Sequence, residues 1–341
     1  MDANGEERLV SRRVTIKEVA KRAGVGTMTV SRVVRNHGYV SDSVRIRVAE
    51  AVRELGYRPN GSARSLRLRR TDTIALIVSD ITNPFFTTIA RAVEDVASES
   101  DNLVLFGNTD ESESSEIRYM EMVLQKGVDG VLLVPATDGR VALELAQASG
   151  LPVVAIDRRV SPAFDCVRCD SEGGAALLAD RLLELGHRRF AILGGPDEVS
   201  TSHDRIQGFR LRAEAKGGQV TVYHGKLTVV DGERLTRVAM EANPRPTAIF
   251  AVNNFLSFGA LNAVGALGLN VPDEVSVAGF DDLPESMVNF PFLTVVSQPA
   301  YELGALAARH LFERIQNPAL PPQDLALPTT LRERSSTGPR R

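Results

Sequence analysis

The sequence predicts an N-terminal all-α helix-turn-helix unit followed by an α/β domain of two lobes. Three observations predict this fold class. The first seventy residues carry helical periodicity, with a glycine turn between two of the helical stretches. From Thr73 onward short apolar runs alternate with helical stretches, a pattern typical of parallel sheets covered on both faces. The length of 341 residues and a hydrophobic content of 43% predict two or three domains.

Three helices are predicted in the first seventy residues. In VTIKEVAKRAGV, Thr15 is the N-cap, Glu18 completes a capping box and Gly24 ends the helix. TMTVSRVVRN resumes the helical period with Val30 facing inward, and SDSVRIRVAEAVRELGY forms a third helix capped by Ser41. Two short helices joined by a glycine turn, with a third that closes the core, form a helix-turn-helix.

The second of these helices carries the candidate DNA contacts. In a helix-turn-helix unit it presents its N-terminal side chains to the major groove. Arg32 can contact guanine or phosphate, and Thr27 and Met28 lie where base edges would be read. Three hydroxyl side chains are better placed for phosphate: Thr15, Thr29 and Ser31. A solvated amphipathic helix would show the same pattern, so the motif alone leaves DNA binding open.

The charge distribution favours a polyanionic partner for the N-terminal unit. Residues 1–70 hold 16 Lys and Arg against 7 Asp and Glu, a net charge of +9. Residues 71–341 hold 24 against 36, a net charge of −12. A basic head on an acidic body is typical of a chain whose head meets nucleic acid while its body serves another purpose.

Several motifs occurring in one order resemble a known family. YRPNGSARSLRLRRTDTIALIVSDITNPFF, with VTIKEVAKRAGV and TVSRVV, resembles the lactose and galactose repressor family of bacterial transcription regulators. The resemblance runs from Val14 to the C-terminal LPTTLRERSS. It implies a periplasmic-binding-protein-like (type I) effector domain after the helix-turn-helix, a double-stranded DNA operator and a homodimer or tetramer. It also implies a repressor controlled by a small-molecule effector. A carbohydrate is the first choice of effector and a non-sugar metabolite the alternative. An activator or a corepressor-dependent regulator stays open.

The segment PNGSARSLRL is implied by the resemblance to be a hinge helix that folds when two copies meet over the operator. Asn60, Arg64 and Leu66 are its predicted DNA contacts, with Leu66 as an apolar wedge in the minor groove. Leu66 as a linker leucine packed on the next domain is the alternative. Arg35 stands where the family usually has Asn and adds a charge near the DNA backbone, while Gly26 replaces a capping Ser.

The predicted boundaries combine composition with the resemblance. The predicted segments are a disordered extension over 1–13, the helix-turn-helix domain over 14–59, the hinge and linker over 60–71, and the effector domain over 72–341. Within the effector domain the lobes are expected over roughly 72–160 and 165–290, with crossover segments near 156–170, 281–283 and 295–300.

Polar residues at strand ends predict the effector site, because ligands of open α/β sheets bind beyond the carboxyl ends of the strands. The candidates are Asp80, Asp157, Asp170, Arg205, Asn253, Asn254, Asp281 and Asp282. The resemblance implies that Phe85 and Phe86 form a wall and that Asp157, Asp170, Arg205, Asn253 and Asp281 line the cleft. Carboxylates and an arginine suit a ligand with several hydroxyls. Helix capping is the alternative role for each of them. Leu227 stands where an aromatic is common, and Asn254 where Asp is usual.

Other functional classes find little support in the sequence. No G-x-G-x-x-G or P-loop is present, and LSFG is not a nucleophile elbow, so we expect no enzyme. Cys166 and Cys169 form a lone C-x-x-C, two ligands where structural zinc needs four, and the histidines are scattered, so no metal or cofactor is expected. His187 is expected to bond backbone at a helix end. The absence of a long apolar run or signal peptide predicts a soluble, cytoplasmic protein.

Overall fold

The first structural unit is a bundle of short helices. The structure, a computed structural model, describes residues 14–34, 38–57, 70–283 and 291–340. The chain divides into two units, one ending at Thr71 and the other beginning at Asp72. The helices of the first unit are α1 (Ile16–Ala23), α2 (Thr27–Val34) and α3 (Asp42–Leu55). They meet at a buried core that includes Val19, Val30 and Val48, which confirms the predicted helix-turn-helix.

The caps of these helices follow from their sequences. Thr15 Oγ1 accepts from the Glu18 N–H at 3.4 Å, and the Glu18 carboxylate accepts from the Thr15 N–H at 2.7 Å, so the predicted capping box is present. Gly24 ends α1 with a φ of 66°, a left-handed conformation that glycine adopts without steric cost. Ser41 precedes α3 as predicted, but its hydroxyl lies 3.4 Å from Ser43 Oγ and makes no capping bond within the described residues.

The second unit is an α/β structure with two sheets. Its strands are β1 (Thr73–Val78), β2 (Leu103–Asn108), β3 (Gly130–Leu133), β4 (Val153–Ile156), β5 (Asp165–Cys169), β6 (Arg189–Gly194), β7 (Gln219–His224), β8 (Ala248–Ala251), β9 (Ser276–Phe280), β10 (Thr294–Ser297), β11 (Asp324–Leu327) and β12 (Thr330–Arg332). Its helices are α4 (Pro84–Glu99), α5 (Glu113–Lys126), α6 (Arg140–Ala148), α7 (Ser171–Glu184), α8 (Ser200–Ala215), α9 (Val229–Glu241), α10 (Asn254–Ala266) and α11 (Ala300–Gln316).

The two sheets define the two predicted lobes. The strand order is β11-β5-β4-β3-β1-β2 in the first sheet and β12-β10-β9-β8-β6-β7 in the second. The described pairings are parallel, except that β12 runs antiparallel to β10. Along β1, Ile74, Leu76 and Val78 face one apolar cluster while Ala75 and Ile77 face another. Burial on both faces explains why such strands are continuous apolar runs.

Within the described residues the chain passes between the lobes at three places, two of which the sequence predicted. The first crossing lies between β5 and α7 and the second between β10 and α11, within the predicted segments 156–170 and 295–300. The third lies between β11 and β12, at 328–329. The predicted crossing at 281–283 is wrong, because β9 and β10 are neighbours in one sheet.

The predicted lobe ranges were correspondingly too short. β5 and β11 complete the first sheet, and α11 packs on α4 in that lobe. β11 and β12 are half-exposed edge strands, so they lack the continuous apolar run by which the buried strands were recognised. Among the helices that the structure describes, none is long and apolar enough to cross a membrane.

Candidate functional site

The exposed face of α2 carries three of the candidate DNA contacts, Thr27, Met28 and Arg32. The Gly26 carbonyl accepts from the N–H groups of residues 29 and 30 and so starts the helix without a side-chain cap. Val30 points into the core, whereas Thr27, Met28 and Arg32 are exposed, with Met28 68% accessible.

The three candidate phosphate contacts differ in how freely they could reach DNA. Thr29 and Ser31 are half-buried on α2. Thr15 is exposed, but its hydroxyl lies 2.9 Å from Glu18 Oε2 and belongs to the capping box. The remaining predicted contacts lie outside the described residues: Arg35, Asn60, Arg64 and Leu66.

A cleft of about 460 Å³ lies between the two lobes of the second unit. The carboxyl ends of strands in both sheets supply its walls, as expected for this fold class. Of the predicted residues, those that line it are Asp80, Phe85, Phe86, Asp157, Arg205, Leu227, Asn253 and Asp281. Asp110, Glu111, Arg158, Glu198, Lys226 and Phe255 also line it and were not singled out by the sequence.

Asp157 is the most exceptional group of the cleft. It follows β4 with a φ of 69°, a left-handed conformation that is unusual for a non-glycine residue. Its Oδ1 atom is buried and has no hydrogen-bond partner among the described residues. Burial raises the pKa of Asp157 to about 6, although Arg205 and Arg158 oppose the shift. A ligand hydroxyl that donates to Oδ1 would supply the missing hydrogen bond.

Arg205 is fixed from several directions. Its Nη1 donates to Val252 O at 2.7 Å and lies 3.4 Å from Asp281 Oδ2. Its guanidinium carbon lies 3.8 Å from the centroid of the Phe280 ring. Asp281, which has a φ of 71°, accepts from Gln298 Nε2 at 2.5 Å. The sequence did not single out Gln298, which follows β10 at a crossing between the lobes.

Arg158, beside Asp157, is buried at the first-lobe wall. Its two terminal nitrogens form a bidentate pair with Glu111, at 2.7 Å from Nη1 to Oε2 and 2.6 Å from Nη2 to Oε1. The sequence signal for Arg158 was its place immediately after a strand-end aspartate. Glu111 lies in the polar run DESESS, where nothing in the sequence distinguishes it from its neighbours.

Apolar side chains form the rest of the cleft wall. Phe85 and Phe86 stand at the start of α4 with ring centroids 5.2 Å apart in an edge-to-face arrangement. Leu227 lies across from them in the second lobe and packs on the core there. A ligand with both a hydrocarbon face and several hydroxyls would match this mixture of surfaces.

In the described part of the chain, polar contacts join the lobes at two points beside the cleft. Asn83 and Asn254 exchange side-chain amide hydrogen bonds of 3.2 and 2.9 Å, and both are buried. At another point Arg159 Nη2 donates to Asp204 Oδ1 at 2.6 Å. Asn254 therefore contacts the opposite lobe rather than lining the cleft.

Two predicted residues have structural roles instead, and a third combines a structural role with its place in the cleft. Asp170 does not line the cleft, contrary to expectation, because its Oδ1 caps α7 by accepting from the Gly173 N–H at 2.8 Å. Asp282 forms a bidentate pair with Arg334. Asn253 both lines the cleft and caps α10 by accepting from the Leu256 N–H at 2.9 Å.

The histidine and cysteines singled out in the sequence are structural. His187 is buried, with Nε2 3.1 Å from Gly338 O, which confirms the expected backbone bond. Cys166 and Cys169 are free and buried within β5, three residues apart on opposite faces of the strand. Within the described part of the chain, no group of three or more His, Cys, Asp and Glu could hold a metal ion.

Comparisons with known proteins match both units. The model for bacterial regulatory proteins of the lacI family matches residues 15–60, and that for a periplasmic binding protein-like domain matches residues 179–337. The ribose operon repressor of Halalkalibacterium halodurans is 36% identical and the match covers 95% of this chain and 97% of that protein. The lac repressor dimer bound to operator and the anti-inducer ONPF has a TM-score of 0.85 at 27% identity. The match covers 96% of this chain and 100% of that chain. A lacI family regulator from Enterococcus faecium with bound ribose has a TM-score of 0.71 at 29% identity. The match covers 79% of this chain and 100% of that chain.

Proposed function

The chain belongs to the lacI family of bacterial regulatory proteins, and on that premise we propose that it is a transcriptional repressor controlled by a sugar. Two copies bind a pseudo-palindromic operator through their helix-turn-helix units. A carbohydrate in the inter-lobe cleft sets their affinity for DNA. This activity places the protein in the cytoplasm, where operator DNA lies.

The DNA-binding part of the proposal is supported by the exposed face of α2. A capped three-helix unit leaves Thr27, Met28 and Arg32 accessible at the helix that enters the major groove in such folds. The positive net charge of residues 1–70 adds the sequence-independent attraction to phosphate. Similarity to the operator-bound lac repressor dimer extends over both units.

The proposal that a sugar binds in the cleft rests on the unpartnered Oδ1 of Asp157 at a cleft wall. A buried carboxylate oxygen without a partner is costly, and a hydroxyl-bearing ligand would satisfy it. The Phe85 and Phe86 wall offers the apolar face of a sugar ring a surface to pack on. D-Ribose is the first candidate, because a ribose operon repressor and a ribose-bound regulator are among the similar proteins.

A thermal-shift screen followed by titration tests the effector. D-Ribose, other neutral sugars, sugar acids, sugar phosphates and nucleobases would be added to the purified protein. Ligand at about a hundred times its Kd should stabilise the folded state by about 2.7 kcal/mol. Arg205→Ala should abolish the shift, while the matched control Arg237→Ala, on the exposed face of α9, should retain it. A shift that survives in Arg205→Ala would remove the cleft from the proposal.

The repressor activity is tested with DNA. An operator selected from random duplexes should be pseudo-palindromic, and its affinity should change when the effector is added. An effector can change DNA affinity only through different affinities for two arrangements of the protein. Binding of DNA that ignores a saturating effector would therefore contradict control through the cleft.

A further inference from the structure

Arg158 is a buried cation of the cleft whose terminal nitrogens are already occupied. Its side chain is 2% exposed. Nη1 donates to the carbonyl oxygens of Pro135 and Ala136 at 2.5 and 2.9 Å as well as to Glu111. Nη2 donates to Glu111 and lies 3.5 Å from Ser79 Oγ. An anionic ligand in the cleft therefore finds the two terminal nitrogens already paired with a carboxylate, whereas the buried Nε has no partner among the described residues.

Glu111 reaches Arg158 through an unusual backbone. Asp110 and Glu111 both have left-handed φ angles, 52° and 57°, in the loop between β2 and α5. This conformation costs a residue other than glycine roughly 1–2 kcal/mol. Strain of this kind persists where surrounding contacts over-determine it, often at a functional site. Here the bidentate contact with Arg158 supplies such a constraint.

We propose that Glu111 is the specificity-determining residue that restricts the cleft to neutral effectors, by holding the guanidinium of Arg158. The proposal rests on the proposed effector function of the cleft. It predicts that sugar acids and sugar phosphates are excluded although two arginines line the site. The second, Arg205, has Nη1 bonded to Val252 O and 3.4 Å from Asp281 Oδ2, so its charge is already partly balanced by that carboxylate.

The charges of the cleft agree with this role. Among the described lining residues the basic ones are Arg158, Arg205 and Lys226, and the acidic ones are Asp80, Asp110, Glu111, Asp157, Glu198 and Asp281. Carboxylates therefore outnumber cations, and like charges brought together in a partly desolvated site repel strongly. Neutral hydroxyls, by contrast, can donate to these oxygens.

Calorimetric titration with three related ligands tests the proposal. D-Ribose, D-ribonate and D-ribose 5-phosphate would be titrated into the wild-type protein and Glu111→Gln, which keeps the size and a hydrogen-bond acceptor but removes the charge. We expect the wild-type protein to prefer the neutral sugar. In Glu111→Gln the affinity for an anion relative to D-ribose should rise at least about tenfold. Glu113→Gln is the matched control, because Glu113 is an exposed residue of α5. This variant should keep the wild-type preference.

The ratio of the affinity for an anion to the affinity for D-ribose distinguishes a specificity role of Glu111 from a structural one. A merely structural Glu111 would lower the affinity for all three ligands alike and leave the ratio unchanged, which would overturn the proposal. So would a wild-type protein that binds either anion more tightly than D-ribose. Glu111→Gly, which relieves the left-handed strain as it removes the carboxylate, provides a second variant should Glu111→Gln fold poorly.

Sulfate gives a readout that does not depend on the identity of the effector. Because Glu111→Gln removes the carboxylate paired directly with Arg158, sulfate should raise the Tm of this variant by about 3 °C more than it raises that of the wild-type protein. An equal response in both proteins would count against Glu111. If the wild-type protein binds no sugar while this sulfate difference is present, the proposed effector fails and the role of Glu111 stands.

Discussion

Asp157 shows how one residue can serve ligand binding at the expense of stability. Its pKa is raised to about 6 by burial, so the folded protein holds its proton more tightly than the unfolded chain does. The unfolding free energy therefore decreases as the pH rises from the ordinary value of about 3.8 through about 6. At neutral pH the carboxylate is charged, buried and short of one hydrogen-bond donor.

Asp157→Asn should consequently stabilise the protein in the absence of effector. At pH 7.5 we expect the unfolding free energy to rise by about 1 to 3 kcal/mol, since the cost of burying the charge is removed. The gain should shrink as the pH is lowered toward 5, and effector affinity should fall sharply. Urea unfolding at several pH values, with calorimetry for the effector, measures both. A variant less stable than the wild type at pH 7.5 would contradict this account.

Arg32 is the residue-scale test of the DNA interface. Its exposed position on α2 predicts contact with guanine or phosphate. Arg32→Ala should weaken binding to the selected operator more than binding to random duplex, and a lost bidentate contact costs about 1–3 kcal/mol. Fluorescence anisotropy with both duplexes measures the difference, with Lys17→Ala on the exposed face of α1 as control. Equal weakening on both duplexes would assign Arg32 to phosphate alone.

At the scale of elements, the joint between α7 and β6 depends on a neutral histidine. A carbonyl oxygen can only accept, so the His187 Nε2, 3.1 Å from Gly338 O, carries the proton, and the unprotonated Nδ1 lies 2.9 Å from Thr247 Oγ1. Burial lowers the pKa of His187 below its ordinary value of about 6.5. The imidazole thereby fastens the C-terminal segment onto the second lobe.

This joint predicts a stability change in acid. Because the folded state binds its proton on His187 less readily than the unfolded chain, the unfolding free energy should fall as the pH decreases below about 6.5. His187→Asn should be less stable at pH 7.5 yet lose less stability between pH 7.5 and 5.5. Thermal unfolding of both proteins across that interval measures the slopes. Parallel slopes would show that other groups dominate the pH dependence.

Which elements the sequence could predict follows from their burial. Strands such as β1 and β8, covered on both faces, are apolar runs that stand out, and α1 carries its own caps. The half-exposed β7, β11 and β12 have no continuous apolar run to mark them as strands. In the site, Asp157 and Arg205 were predictable as strand-end or motif residues. Glu111 was not, because its role depends on a left-handed backbone and a contact between distant segments.

At the scale of the whole molecule, the edge of the first sheet predicts how two copies meet. β2 is one of the two edge strands of this sheet, and its Leu103 and Leu105, which share one face, are 71% and 41% exposed. Exposed apolar residues on an edge strand are typical of an association surface. Leu103→Lys with Leu105→Lys should convert the dimer to monomer in sedimentation measurements at micromolar concentration. Leu211→Lys is the control, because Leu211 is also an exposed leucine, on α8. A double variant that remains dimeric would place the interface elsewhere.

The contacts that join the lobes predict how the cleft controls the whole molecule. We expect a ligand that touches both walls to favour the arrangement in which Asn83 and Asn254 exchange hydrogen bonds, and Asn254→Ala removes that exchange. Effector affinity should fall several-fold in this variant, since each lost hydrogen bond is worth about 1 kcal/mol.

Operator affinity without effector should change in the same variant, in the direction opposite to the change that the effector causes. This direction does not depend on whether the effector induces or corepresses. Effector binding and the Asn83–Asn254 exchange shift the same equilibrium between two arrangements of the lobes. Anisotropy titrations with and without effector measure both changes, with Asn262→Ala on the exposed face of α10 as control. A change in the same direction as that caused by the effector would mean that the arrangement joined by Asn83 and Asn254 is not the one the effector stabilises.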